Sequence, residues 1–358
     1  MPKACFAVPG DLQSCTGGYG YARALLAGSA QGLVNESARG GWRLEHLALP
    51  AAFPAPSPED IAATEAAFAA RPAGELLLVD GLAFAAFPRT LLQAFAGRWV
   101  ALVHHPLALE TGLPDWRAAQ LQESETRALA AASAVVVTSR ETARELVRGY
   151  AVPREVIAVA EPGTALPDRP AVADMATPTL LCVATLSARK GQDSLVEALA
   201  SLKDLAWRCR LIGSTERDGA AAARVRSLIS AQGLEARVEI AGTLSPETLA
   251  AAYRTADLFV LPSHYEGYGM AFAEAMSHGL PIVACPRGAV PGIVPEAAAL
   301  FVEPGDPAAL SMALRRLLQD DALRRRKAAA AWEAGRRLPQ WPDTLARIGK
   351  ALTRASGR

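Results

Sequence analysis

Pro262-Ser-His-Tyr-Glu266-Gly-Tyr-Gly-Met-Ala-Phe-Ala-Glu274-Ala-Met-Ser-His-Gly-Leu-Pro281 decides how the rest of this chain is read. The apolar run 258–261 before it reads as a buried strand and the glycines as a turn. A helix is expected from about Met270 to His278, stopped by Gly279 and Pro281. Without side chains at Gly267 and Gly269, a ligand can approach the backbone closely. The free amides of Gly269, Met270 and Ala271 at the helix start suit an anion or a sugar hydroxyl. Glu266 in the turn and Glu274 about one turn into the helix are expected to face one ligand. Ionised carboxylates there would accept from sugar and ribose hydroxyls.

Outward from this stretch, short apolar runs alternate with longer segments of helical period. Candidate strands lie at 4–8, 75–79, 99–103, 134–137 and 157–159, then at 180–184, 208–212, 237–240, 258–261 and 281–284. Helical patterns fall between them, at 21–32, 117–131, 142–150, 192–200, 221–232 and 246–255. Repeated βα units predict parallel sheets with helices on both faces. The proline- and glycine-punctuated run 162–178 separates the two series as a linker. A basic helix at 307–335 and a last one from Trp341 to Leu352 follow, the last able to cross back onto the first domain. The expected fold is α/β, with two Rossmann-like doubly wound domains facing across a cleft. Residues 1–165 with about 340–358 would form one domain and 166–339 the other.

Ligands of open parallel sheets bind beyond the carboxyl ends of the strands. Three further clusters are expected there. Arg189 and Lys190, before Gly191, place two cations at a strand-to-helix turn, where they can neutralise a diphosphate. Gly17 and Gly18 open a helix after the first strand; they do not form G-x-G-x-x-G, which disfavours NAD. His104 and His105 end a strand of the first domain and should point in opposite directions, so at most one faces the ligand. Asp80 also follows a strand, and a turn-forming role is the simpler reading.

The opening stretch resembles the Glu-x7-Glu signature of retaining glycosyltransferases of the GT-B fold, above all glycosyltransferase family 4. Residues 238–263 and 302–307 are similar to that family as well. The resemblance implies that Glu274 binds the donor ribose and that Glu266 contacts the transferred sugar. It assigns diphosphate and sugar contacts to the turn amides carried by Gly267, Tyr268, Gly269 and Met270. It gives phosphate contacts to Arg189 and Lys190, places Gly17 and Gly18 beside the donor phosphates, and sets His104 near the sugar with His105 in reserve. Where many relatives carry Gly-Arg, this chain has Ala184-Thr185, which leaves the phosphate charge to Arg189 and Lys190. The implied activity is transfer of a hexose-type sugar, with retention, from a UDP- or GDP-sugar substrate to a glycan, lipid-linked or small-molecule acceptor. No cofactor is implied. A nucleotide-sugar epimerase, a sugar phosphorylase, or a non-catalytic nucleotide-sugar binding protein are the alternatives on this fold. Loops 51–59 and 107–117 are the expected carriers of acceptor choice.

Composition narrows the class further. A net charge of +1 over 358 residues argues against a dedicated nucleic-acid binder. The five scattered cysteines form no C-x-x-C pair, which fits a reducing compartment better than a disulfide framework. The apolar run near Met1 is too short for a signal peptide, and no stretch approaches the ~20 residues that span a bilayer. A cytoplasmic protein is expected, with peripheral contact at the inner face of the membrane left open. No metal-ligand cluster is readable: there is no Asp-x-Asp at a strand end, and Asp320-Asp321 sits within the basic helix.

Overall fold

The computed structural model describes residues 1–31, 41–168 and 177–357. Gly32, at the end of the first helical pattern, and Pro170, inside the linker run, lie outside the described residues. The chain divides into two compact units, Met1–Gly163 with Pro339–Arg358, and Thr164–Leu338.

The first unit is built on β1 (Lys3–Pro9), β2 (Arg43–Leu49), β3 (Leu76–Asp80), β4 (Trp99–Val103), β5 (Ala134–Val137) and β6 (Ile157–Val159), all parallel in the order β2-β1-β3-β4-β5-β6. The second carries β7 (Thr179–Val183), β8 (Arg208–Ile212), β9 (Val238–Gly242), β10 (Leu258–Leu261), β11 (Ile282–Ala284) and β12 (Ala299–Phe301), parallel in the order β12-β11-β10-β7-β8-β9. Each unit is thus a doubly wound α/β layer, the expected fold class. The strands β3, β4, β5, β10 and β11 are buried at every position, because helices cover both faces. In β3 and β4, successive side chains enter different cores: Leu77 and Trp99 pack on one face, Leu78 and Val100 on the other.

Two strands and several helices differ from expectation. Both unforeseen strands, β2 and β12, lie at the edge of their sheets. An edge strand is half-covered, so Arg-Leu-Glu-His-Leu-Ala-Leu alternates in burial instead of reading as an apolar run. The expected 307–335 helix is two helices, Pro307–Gln319 and Asp321–Gly335. Asp320 breaks it because its carboxylate accepts from the Leu323 amide at 2.8 Å and caps the second piece. Asp320 and Asp321 therefore mark a helix junction, not the interior of a basic helix. The first helix begins at Gly17, so Gly17 and Gly18 do open it, four residues ahead of the helical pattern at 21–32. A further helix, Pro58–Ala69, starts with a Ser57/Asp60 capping box inside what reads as loop.

The final helix, Trp341–Ser356, belongs to the first unit. Leu345, Ile348 and Leu352 are fully buried in the cluster that contains Phe6, Leu78 and Val136. Thr344 donates to the Glu161 carbonyl at 2.7 Å, and Gly163 fits only without a side chain, since a Cβ would come within 2.2 Å of the Trp341 nitrogen. Replacing Leu352 by Ala should cost about 2–5 kcal/mol in urea unfolding, the usual loss for an emptied leucine site. A loss under about 1 kcal/mol would show that this helix contributes little to the core.

Candidate active site

The strand order of the second unit reverses between β7 and its neighbour β10, and the turns that leave these two strands meet. Such a reversal splays the following segments apart and leaves a crevice at the carboxyl edge. After β7, the short 3-10 turn Ala188–Lys190 leads to Gly191, whose φ of +67° a glycine adopts without strain. A Cβ on Gly191 would lie 2.4 Å from the Pro262 carbonyl oxygen, so the two turns touch backbone to backbone. The His264 amide donates to the Arg189 carbonyl at 2.8 Å, and the Arg189 guanidinium donates to the Tyr265 carbonyl at 2.7 Å.

Across this seam Lys190 Nζ lies 2.6 Å from Glu266 Oε1, and Ser263 Oγ donates to the same oxygen at 2.7 Å. Both charged side chains are largely withdrawn from water, 15% and 7% exposed. Burial alone would raise the Glu266 carboxyl; the charges of Lys190 and Arg189 more than reverse this, and it sits below its ordinary value. Glu266 is consequently a buried, ionised acceptor, held on its own backbone by Gly288, where a Cβ would come within 2.2 Å of the Glu266 carbonyl.

Gly269, in the left-handed region at φ +94°, starts the helix Met270–Ser277. No side chain caps this helix, so its first turn keeps donors for an anionic ligand. Tyr268 is buried, and Gly267 and Met270 complete the turn. On the helix, half-buried Glu274 accepts from Tyr253 Oη at 2.7 Å. Burial pushes the Glu274 carboxyl up, and the Tyr253 hydrogen bond opposes that shift. Tyr253 is held in turn by stacking on His278, with ring centroids 5.1 Å apart.

Of the second-unit residues singled out from sequence, Arg189, Lys190 and Glu266 come together, with Gly269 beside Glu266. Glu274 is fixed by a different partner, Tyr253. Sequence reading missed Ser263 and Tyr253 as groups that hold the two carboxylates. Ser263 was visible as the residue three before Glu266; nothing in sequence links Tyr253 to Glu274.

Gly17, Gly18 and His104 belong to the first unit. The helix Gly17–Ala30 also begins without a side-chain cap. A Cβ on Gly18 would stand 3.4 Å from His104 Nε2, and Tyr21 packs edge-on against the imidazole. Asp80 Oδ2 lies 3.4 Å from His104 Nε2, and that nitrogen is buried without a hydrogen-bond partner among the described residues. Asp80 caps the segment after β3 through the Leu82 amide, as a turn former, and also faces His104. His105 turns away to Glu110, at 2.6 Å. Among the described residues, no group of three or more His, Cys, Asp or Glu is placed to hold a metal ion. No described helix is long and apolar enough to cross a membrane.

Residues 168–333, nearly all of the second unit, match the family model described as Glycosyl transferases group 1. Among solved structures, sucrose-phosphate synthase from Thermosynechococcus elongatus superposes with a TM-score of 0.81 at 25% identity, covering 97% of this chain and 98% of that one. The Anabaena protein HepE, solved in complex with UDP and glucose, gives 0.74 at 15% identity over 97% of this chain and 99% of its own. The fold is GT-B. Among curated relatives with which this GT-B chain aligns is the D-inositol 3-phosphate glycosyltransferase of Xylanimonas cellulosilytica, 32% identical over 251 residues, or 65% of this chain and 60% of the relative. The alpha-D-kanosaminyltransferase of Streptomyces kanamyceticus is 33% identical over 155 residues, 43% of this chain and 40% of the relative. The match thus spans about 60% of the length of the first of these relatives.

Removing one partner of a buried pair strands the other charge. Lys190→Met should lose about 3–5 kcal/mol of stability in chemical denaturation, while Glu266→Gln loses less, because the amide oxygen still accepts from Lys190, the more exposed member of the pair. The sign of the pH effect follows from the lowered carboxyl. Glu266 contributes fully above its unfolded pKa of about 4.3, and the contribution is lost as pH falls through the lower folded value. Stability measured from neutral to acid pH should therefore fall less steeply in Glu266→Gln than in the wild type. Equal slopes would remove Glu266 from the ionised state assigned to it.

Proposed function

We propose that this protein is a retaining glycosyltransferase of family 4 type, moving a hexose from a UDP- or GDP-sugar to a glycan, lipid-linked or small-molecule acceptor in the cytoplasm. The observation that carries this reading is the convergence of Arg189, Lys190 and Glu266 at the β7/β10 strand reversal, beside a helix with no side-chain cap. The match of this same unit to the glycosyl transferases group 1 model supports it.

In the proposed reaction the donor's nucleotide and diphosphate rest on the second unit and the acceptor on the first. Breaking the anomeric C–O bond builds negative charge on the departing β-phosphate. Lys190, Arg189 and the amides after Glu266 supply positive potential for that charge, the largest catalytic term expected in such a site. These cations would do the work that a divalent ion does elsewhere. An ionised Glu266 has no proton to donate, so its part is to orient sugar hydroxyls. Glu274, presented by Tyr253, would accept from the ribose hydroxyls. Retention then follows from attack on the face that the leaving group departs from, with the phosphate taking the acceptor's proton. His104, beside Gly18 and Asp80, would bind near the transferred sugar.

Lys190→Ala and Glu274→Ala should each lower turnover by roughly tenfold or more, since each removes a hydrogen-bonding or charged contact to the reacting substrate. Near-wild-type rates in both folded variants would refute the assignment, and a strict requirement for a divalent ion after EDTA treatment would refute the metal-free step. A thermal-shift screen against UDP, GDP and ADP identifies the base: a nucleotide at one hundred times its dissociation constant adds about 2.7 kcal/mol.

A further inference from the structure

The first unit contains a cavity of about 660 Å³, inside the ~300–1,000 Å³ range of small-molecule sites. It lies beyond the carboxyl edge of the sheet. Its lining comes from the segment after β2 (Pro54 to Pro58), from the segment after β3 (Ala85, Ala86, Pro88) and from Leu107, three residues past His104 at the end of β4.

The two sides of this cavity differ in chemistry. Pro54, Ala55, Pro56, Ile61, Ala86 and Pro88 form an apolar wall with few donors, since a proline has no amide hydrogen. The rest of the lining comes from the helix Asp115–Leu129. Arg117, Leu121 and Ser124 share one face of it at helical spacing, with Gln120, Glu123 and Arg127 flanking. Two guanidiniums against one carboxylate leave the wall net positive. Arg117 is half-buried and hydrogen-bonds the Gln120 side chain, which orients its fork.

Both walls are held before any ligand arrives. The Ser57/Asp60 capping box pins the proline-rich segment. On the other side Glu125, buried within the helix Asp115–Leu129, accepts from the Leu107 amide at 2.9 Å and the Ala108 amide at 3.4 Å. That tie fixes the segment that follows His104 against the cationic wall. A site already formed loses little entropy on binding.

We propose that this cavity is an acceptor pocket for a small amphiphilic anion, a molecule with a phosphomonoester-like group on one side and an apolar body on the other. The anion sits on Arg117 and Arg127, because a guanidinium fork pairs with two phosphate oxygens. The apolar body lies on the prolines, and Glu123 accepts from a ligand hydroxyl. Its role as acceptor rests on the transferase reading above; its ligand class does not.

The test titrates the full chain by calorimetry with hexyl phosphate, 1-hexanol and inorganic phosphate, and separately with UDP and GDP. Hexyl phosphate should bind at one site roughly tenfold tighter than either fragment, since each lacks half of the complementary surface. Arg117→Ala/Arg127→Ala should weaken hexyl phosphate roughly tenfold and leave nucleotide binding unchanged. Ala55→Trp, at an exposed position, should block the apolar side and weaken it as well. Equal binding by the double variant, or inorganic phosphate binding as tightly as hexyl phosphate, would overturn the assignment. Nucleotide binding without hexyl phosphate binding would sink the pocket and spare the transferase reading; the reverse would sink the transferase reading and spare the pocket's ligand class.

Discussion

The contact between Lys190 and Glu266 governs the geometry of the second unit's carboxyl edge. As a contribution to stability such a pair is weak, because withdrawing two charges from water costs about as much as their attraction returns. Its value is positional. The two residues leave adjacent strands, β7 and β10, and the pair can form only if both turns approach to backbone contact. Glycine at 191 permits that approach, since a Cβ there would lie 2.4 Å from the Pro262 carbonyl oxygen, and Gly288, after β11, packs equally closely on the Glu266 carbonyl. The Arg189 bond to the Tyr265 carbonyl closes the same seam from the other side. The backbone seam therefore brings the two side chains close enough to pair.

The first unit places its polar groups by the same rule of strand neighbours. β3 and β4 pair with Asp80 opposite Leu102, so His104, two residues further on, emerges beside Asp80. The Gly18 position closes the other side of the imidazole because it has no side chain to occupy that space. Both His104 and Glu266 thus arise at strand ends next to a glycine, where backbone and side chain approach more closely than another residue would allow.

Much of this was legible because parallel strands covered on both faces must be apolar throughout. The runs at 99–103, 134–137 and 258–261 coincide with β4, β5 and β10. That signal disappears at a sheet's edge. β2 carries Arg43, Glu45 and His46 among its leucines and β12 has three residues, so neither stands out from a loop or a helix. The functional residues show the same division. Glycines around Glu266 and the cationic pair before Gly191 could be seen locally. The bond from Tyr253 to Glu274 spans 21 positions and depends on how two helices pack, which no spacing in the chain encodes. Asp80 read as a turn former, and it is one; its approach to His104 needed the strand order.

The two glutamates of the opening motif are set apart by their surroundings, and that difference follows from the packing. Cations drive Glu266 below its ordinary range despite its burial, whereas Glu274, hydrogen-bonded by a neutral tyrosine, is pushed up by burial. A carboxylate with a cation already bound to it gains little from one more donor. A carboxylate that is raised by burial and held by a single hydroxyl gains more, because each added donor offsets desolvation that the fold has left uncompensated. Under the proposed reading, Glu266 is thus a preset, already ionised acceptor for sugar hydroxyls, and Glu274 is the group whose charge a ligand completes. Their eight-residue separation places the first in the turn, within reach of β7, and the second on the helix, within reach of Tyr253. The spacing of the motif thus gives the two glutamates two different neighbours.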